Sequence, residues 1–246
     1  MDRHALVTGG SRGIGRAIAG ALAAAGHRVT VLGRDEQALA AVVREGQAHA
    51  AVAADLTNPA AVDAVFRSLS PPVDLLVANA GAARSAPFLK TGDDAFAEMI
   101  GTNLLGTVRA IRAVLGGMIE RRFGRIVAVA STAGLKGYPY VSAYCASKHA
   151  VVGLVRALAV ETAATGVTVN AVCPGFTDTD LVARSVDRIM AATGRSREDA
   201  LKELTRHNPQ GRLIEPREVA HAVLWLVSEE AGAITGQAVA IAGGEI

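Results

Sequence analysis

Short continuous apolar runs alternate along this chain with longer stretches in which apolar positions recur every three to four residues. The runs at 5–7, 28–32, 49–53, 73–77, 125–130, 167–172 and 237–241 predict strands. Between them, 16–25, 36–44, 59–69, 93–118, 142–165 and 215–227 predict helices, the first ended by Gly26. The runs are β-branched and do not alternate with polar residues, which predicts strands buried on both faces of a parallel sheet. Strand–helix alternation then gives right-handed crossovers and one doubly wound α/β domain over 1–246. One long segment, 176–212, leaves the pattern; it carries much of the local charge, Gly194 and a helical stretch at 197–205. An excursion of that length predicts a substrate lid, with a disordered loop as the alternative.

Composition narrows the function classes. Half of the 246 residues are hydrophobic but only 4% are aromatic, so the core must be aliphatic. The formal charge is +2, from 25 basic and 23 acidic side chains that are scattered along the chain. Nucleic acid and anionic membrane are not expected partners, because neither has an electrostatic footprint here. Cys145 and Cys173 form neither a metal spacing nor a disulfide framework, and the histidines show no ligand spacing, so no metal is expected. No signal-peptide pattern opens the sequence, and the apolar stretches fall short of the roughly 18 residues a membrane span needs. A reduced, cytoplasmic setting is the expectation.

Thr8-Gly9-Gly10-Ser11-Arg12-Gly13-Ile14-Gly15 follows the first strand and opens the first helix. Gly9 permits backbone angles closed to other residues, and Gly13 and Gly15 let a pyrophosphate approach the amides of Ser11, Arg12 and Ile14 at a positive helix end. A glycine cluster alone is a weak signal; its strand–loop–helix placement makes it a strong one. Asp55 and Leu56 close the third strand, where a carboxylate can accept from an adenine amino group. Asn79-Ala80-Gly81 closes the fourth, where Asn79 can tie strands together and Gly81 leaves room for ribose. After the second strand, where NAD-selective folds present a carboxylate, stands Gly33-Arg34. Arg34 and Arg12 together suit a 2′-phosphate, so NADP(H) is expected over NAD(H), although Asp35 lies one position beyond.

Tyr144 and Lys148 stand four apart at the start of a helix and share one face. A free phenol has a pKa of about 10. A lysine ammonium beside it is expected to favour the phenolate. Ser131 ends the fifth strand, at the carboxyl edge where parallel sheets bind ligands. Tyr-x(3)-Lys alone is weak; placed after a serine-bearing strand and downstream of the glycine loop it is not. Cys145 points about 100° around the helix from Tyr144 and reads as a small buried hydrophobe. His149 reads as surface or interface. Tyr138 and Tyr140 border the substrate region, as packing or as contact. Lys136, Arg184, Arg195 and Arg206 read as solvated loop charges, with a phosphorylated acyl carrier as the alternative.

In order and spacing, the Thr8 to Gly15 loop, Asp55, Asn79-Ala80-Gly81, Asn103, Ser131, Tyr144, Lys148 and Pro174-Gly175 resemble the short-chain dehydrogenase/reductase family. Ala78 stands where a second Asn is frequent. The resemblance implies a Rossmann fold with strand order 3-2-1-4-5-6-7. It also implies an NAD(P)-dependent oxidoreductase acting on a ketone or secondary alcohol, with Ser131, Tyr144 and Lys148 catalytic. Asn103 would distort its helix and hold a water linking Lys148 to solvent. Pro174 and Gly175 would pass the nicotinamide, with Thr177 or Thr179 touching its carboxamide or a phosphate. The run from Tyr144 to Gly175 and the ending Ala233 to Gln237 are similar to 3-oxoacyl and polyketide ketoreductases and hydroxyacyl-CoA dehydrogenases. A homotetramer, packed through the tyrosine-bearing helix and the last strand, is implied as well. The rival readings are a non-catalytic dinucleotide sensor, which would predict erosion of Ser131, Tyr144 or Lys148, and an epimerase or dehydratase, which would predict a larger C-terminal domain.

Overall fold

β1 (His4–Thr8) is buried along its whole length, as an apolar run flanked by strands on both sides requires. The computed structural model describes residues 3–246. On one side of β1 lie β2 (Arg28–Gly33) and β3 (Ala50–Ala53); on the other lie β4 (Leu75–Ala78), β5 (Gly124–Val129), β6 (Val167–Pro174) and β7 (Ala238–Ile241). The sheet is seven-stranded and parallel, in the order β3-β2-β1-β4-β5-β6-β7. β1, β4, β5 and β6 are buried throughout, but β3 alternates between partly buried and exposed positions, and β7 is only partly buried. Burial on both faces therefore holds for the interior strands and fails at the two edges, where one neighbour is missing.

Helices α1 (Gly13–Ala24), α2 (Glu36–Arg44) and α9 (Pro216–Val227) cover one face, closing a core of Val7, Val31, Ile18, Leu22, Val223 and Leu226. Helices α3 (Pro59–Ser68), α5 (Gly106–Glu120) and α6 (Ser142–Thr162) cover the other, over Leu6, Leu76, Ile126, Val155, Met118 and Val169. Each buried Leu or Ile contributes roughly 1.5–3 kcal/mol by leaving water. The few aromatics leave Ala, Val and Leu to fill both layers, so helices lie close to the sheet.

Three differences from the sequence reading bear on the site. The first helix begins at Gly13, not at 16, so the glycine loop runs directly into its first turn. The predicted helix at 93–118 is α4 (Asp93–Met99), a π-helical segment at Ile100–Leu105, then α5. Segment 176–212 is ordered as α7 (Asp180–Thr193) and α8 (Arg197–Thr205), which bury Val182, Val186, Ala200 and Leu204 against one another. At the base of this excursion, Asp178 N donates to Ile214 O (2.9 Å) and Ile214 N donates to Phe176 O (2.9 Å), so its two ends are stitched together.

The apolar-stretch expectation also needs correcting. The helical stretch Ser142–Thr165 is by length and composition apolar enough to cross a membrane. It owes this to Ala and Val on the face that packs over β5 and β6, where Val151, Val152, Val155 and Ala159 are buried.

Candidate active site at the carboxyl edge of the sheet

At the switch point between β1 and β4, where the strand order reverses, a hydrogen-bonded knot joins the glycine loop to β4. Asn79 Nδ2 donates to Thr8 O and Gly9 O, both at 3.0 Å, and the Thr8 hydroxyl accepts from the amides of Asn79 and Ala80. Asn79 thus ties the strands as its position predicts. Gly9 has φ 64°, the left-handed region that favours glycine. Gly15 is needed for a different reason than expected: a Cβ there would lie 2.2 Å from Gly9 O, so its absence makes room for the loop's own backbone. At Gly81 a Cβ would lie 2.9 Å from Asn103 Oδ1, so that glycine too serves an internal contact.

The start of α1 has the chemistry of an anion site. Its N-cap, Arg12, makes no side-chain capping bond and the first turn holds no acid, whereas α2, α3 and α8 are capped by Asp35, Asn58 and Ser196. The leading amides of α1, at Gly13, Ile14 and Gly15, have no partner within the helix by its geometry. Thr179, which begins the α7 excursion, packs on this loop, its Cγ2 3.2 Å from where a Cβ of Gly13 would stand. Thr177 donates to Gly175 O (3.0 Å) and Thr179 donates to Thr177 O (3.2 Å), so both hydroxyls hold the turn after Pro174. Asp55 accepts from the Thr57 amide and hydroxyl, both at 2.8 Å, and these bonds hold its carboxyl below the usual range. Arg34 reaches to 4.0 Å of that carboxylate, with most of its side chain in solvent. Leu56 is buried, and Ser11 lies in the loop without a capping role. These residues fit a dinucleotide with its phosphates on α1 and its adenosine end beside Asp55 and Arg34.

The reacting side chains lie one strand further. The Ser131 hydroxyl caps the turn after β5 by accepting from Ala133 N (3.1 Å), and it stands on the side of the Tyr144 phenol, whose pKa it lowers. Burial raises the Tyr144 phenol above its ordinary value, and the neighbouring Ser131 hydroxyl offsets this only in part. The expected lowering by Lys148 is therefore not what this geometry gives: the ammonium stands 5.8 Å from the ring centroid and is itself pulled down to about 8 by burial. Lys148 Nζ donates to Val129 O (2.8 Å) at the end of β5.

Asn103, 1% exposed, sits in the π segment. Its Oδ1 accepts from Ala82 N (2.8 Å) and its Nδ2 donates to Ala82 O (3.0 Å) and Ser147 Oγ (2.9 Å). Ser147 in turn donates to Tyr144 O (2.8 Å), so Asn103 clamps the segment that follows β4 to the tyrosine-bearing helix. Cys145 is buried and His149 exposed, as expected. Tyr140 is 65% exposed, whereas Tyr138 packs edge-on against Phe176 and His207. Lys136 pairs with Glu245 (2.9 Å), and Arg195 and Arg206 both pair with Glu203, which leaves exposed Arg184 as the uncommitted member of that basic set. The sequence reading missed Ser147 and Glu245; the second was signalled only by a lone acid after two glycines at the end of an apolar strand.

The family model for short chain dehydrogenases matches residues 3–189, and the chain belongs to that family. It is 42% identical over 250 residues to an acetoacetyl-CoA reductase of Rhizobium meliloti, covering 100% of this chain and 99% of the relative. It is 38% identical over 244 residues to the 3-oxoacyl-[acyl-carrier-protein] reductase FabG of Vibrio harveyi, covering 98% and 96%. Among solved structures, an actinorhodin polyketide ketoreductase variant with NADPH superposes with a TM-score of 0.95 at 38% identity, covering 99% of this chain and 97% of the other. The fold, the family and the oxidoreductase class expected from the sequence are therefore established for this chain.

Lys148 yields a stability prediction. Its folded pKa lies below the 10.5 of a free lysine, so the unfolded chain takes up the proton first as pH falls. The cost of burial is thus absent at high pH and complete below about pH 8. Lys148→Met should stabilise the fold at pH 7 by about 1–3 kcal/mol, a gain that shrinks as pH rises toward 10. Denaturant titrations at both pH values check this; equal stability of the two proteins at pH 7 would contradict it.

Proposed function

We propose that this protein is an NADPH-dependent ketoreductase acting on 3-oxoacyl-type substrates. The observation that carries this reading is the convergence at the carboxyl edge of the sheet of Ser131, on the turn after β5, with Tyr144 and buried Lys148 on one face of α6, where Lys148 Nζ donates to Val129 O (2.8 Å). Two hydroxyls that meet there can both donate to one carbonyl oxygen, which is where charge develops during reduction. A reduced nicotinamide, when bound across the switch point, would supply the hydride to the carbonyl carbon. Tyr144, kept neutral by burial, gives its proton to the substrate oxygen, while Ser131 holds that oxygen in line. Lys148 would hold the nicotinamide ribose and return a proton to Tyr144, with a water at Asn103 as the link to solvent. Alcohol oxidation reverses the same path. Pro174 and Gly175 would line the nicotinamide, Thr177 and Thr179 its carboxamide or a phosphate, and α7 with α8 would serve as the lid.

NADPH is favoured over NADH because Arg34 is exposed beside Asp55 at the adenosine end and exposed Arg12 stands at the head of α1, and because Asp35 caps α2 by accepting from Ala38 N (3.0 Å). That role accounts for the one acid that could have argued for NAD. The relatives' substrates, acetoacetyl-CoA and 3-oxoacyl carrier protein by name, support the acyl class. Intact Ser131, Tyr144 and Lys148 speak against the sensor reading. We further infer a cytoplasmic homotetramer, supported by exposed Val160 (81%) on α6, by Trp225 (49%) on α9 and by the half-covered edge strand β7.

Kinetics on a panel of 3-oxoacyl thioesters, cyclic ketones and simple alcohols test the reading. Tyr144→Phe should lower kcat by about 100- to 10,000-fold while dinucleotide binding stays intact; near-normal turnover would remove the mechanism. With both cofactors, Arg34→Leu should cut kcat/KM for NADPH by roughly 10- to 100-fold and leave NADH nearly unchanged; a wild-type preference for NADH would overturn the cofactor assignment. Light scattering at working concentration should give four chains per particle, and a monomer would contradict the assembly.

A further inference from the structure

The reading above leaves one buried acid unused. Glu245, next to last in the chain, has a side chain only 2% exposed, yet it follows Gly243 and Gly244 at the very edge of the sheet. Its carboxylate accepts from Lys136 Nζ (2.9 Å) and from the Tyr138 hydroxyl, and it lies 3.3 Å from where a Cβ of Gly175 would stand. Burying a carboxylate is costly unless charge and hydrogen bonds compensate, and here both do.

The partners of this carboxylate belong to three parts of the site. Lys136 and Tyr138 are on the loop between Ser131 and Tyr144, and the Tyr138 hydroxyl also hydrogen-bonds Thr132 Oγ1 (2.7 Å), one residue past Ser131. Gly175 begins the turn that leads to Thr177 and Thr179. The Tyr138 ring packs edge-on against Phe176 (6.0 Å) and His207 (5.6 Å), which flank the α7–α8 excursion at either end. The tail also meets that excursion directly, since a Cβ on Gly243 would lie 2.0 Å from Asn208 Oδ1 and one on Gly244 3.6 Å from Pro209. Asn208 is itself locked, donating to Arg212 O (2.8 Å) and accepting from Gln210 N (2.8 Å).

We propose that Glu245 is a positioning residue of the reductase site, a C-terminal latch that fixes the wall between the Ser131 turn and the base of the lid. The inference rests on the reductase reading for its kinetic consequence but not for its mechanical one. The latch also neutralises Lys136, so the wall formed by Tyr138, Phe176 and His207 presents no net cation from that side chain to an uncharged acyl group. Substrate affinity, not the chemical step, is what it controls, because its carboxylate reaches neither the Tyr144 nor the Ser131 hydroxyl.

The test uses the full chain as Glu245→Gln, Lys136→Met and the double variant, read by steady-state kinetics and by hydrogen–deuterium exchange. Glu245→Gln should raise the ketone KM about tenfold, with kcat and the dinucleotide KM within about twofold. Amide exchange within 176–212 should quicken about tenfold, while the central strands keep their protection. The double variant should be no worse than Glu245→Gln alone, because both changes cut the same link. Unchanged ketone KM and unchanged lid exchange in Glu245→Gln would overturn the proposal, and so would full additivity in the double variant. Faster exchange across β1, β4 and β5 together with a raised dinucleotide KM would overturn it too, since that pattern marks general loosening. If the wild-type chain reduces no ketone on the panel, the reductase reading fails, and lid exchange in Glu245→Gln still decides the latch.

Discussion

An amine shut away from water on the carbonyl of Val129 is the constraint around which the catalytic side of this molecule is arranged. A lysine so buried is tolerated only if something nearby repays the lost hydration, and the 2.8 Å bond to the end of β5 repays part of it. The rest is left as tension, visible in an ammonium whose proton is held less tightly than in water. Everything around it accommodates that choice: Gly81 keeps a methyl group out of the space beside it, and Asn103 braces the segment after β4 against the helix that carries it. A site that stores cost in this way has traded stability for a group able to exchange protons near neutral pH.

The glycine loop shows the same economy in another form. Gly15 in the loop is read most readily as space for a phosphate, and Gly81 after β4 as space for ribose, yet each is required by contacts within the protein. The backbone must fold tightly on itself before it can present amides outward, so the internal and external reasons for glycine coincide. Asn79 is the pin of that fold, joining β1 and β4 at the one place where the strand order reverses.

Much of this was legible in the sequence. Continuous β-branched runs marked the inner strands because burial on both faces leaves no polar alternation, and the spacing of Tyr144 and Lys148 on one helix is fixed by helix geometry alone. Less legible were features that depend on what meets what across the chain. The direction of the Tyr144 shift was misjudged because proximity to Lys148 can be read from spacing, whereas desolvation cannot. Helix α7 was hidden because its Val182 and Val186, with Ile189 and Met190 beside them, pack on Ala200 and Leu204 of α8 rather than on the sheet. Glu245 was invisible as a site residue because its partners lie roughly a hundred positions upstream.

The π segment at Ile100–Leu105 has a consequence for how such a site can arise. A wide turn of this kind accommodates one surplus residue while the helix beyond it resumes in phase. Ala110, Ile111, Val114 and Met118 on α5 can therefore meet the same neighbours whether or not the surplus residue is present. A single codon gained in an ordinary helix would be enough to swing an asparagine inward without disturbing the packing downstream. Novelty at such a position is inexpensive to try, which makes the bulge a point of entry for new chemistry on an old frame.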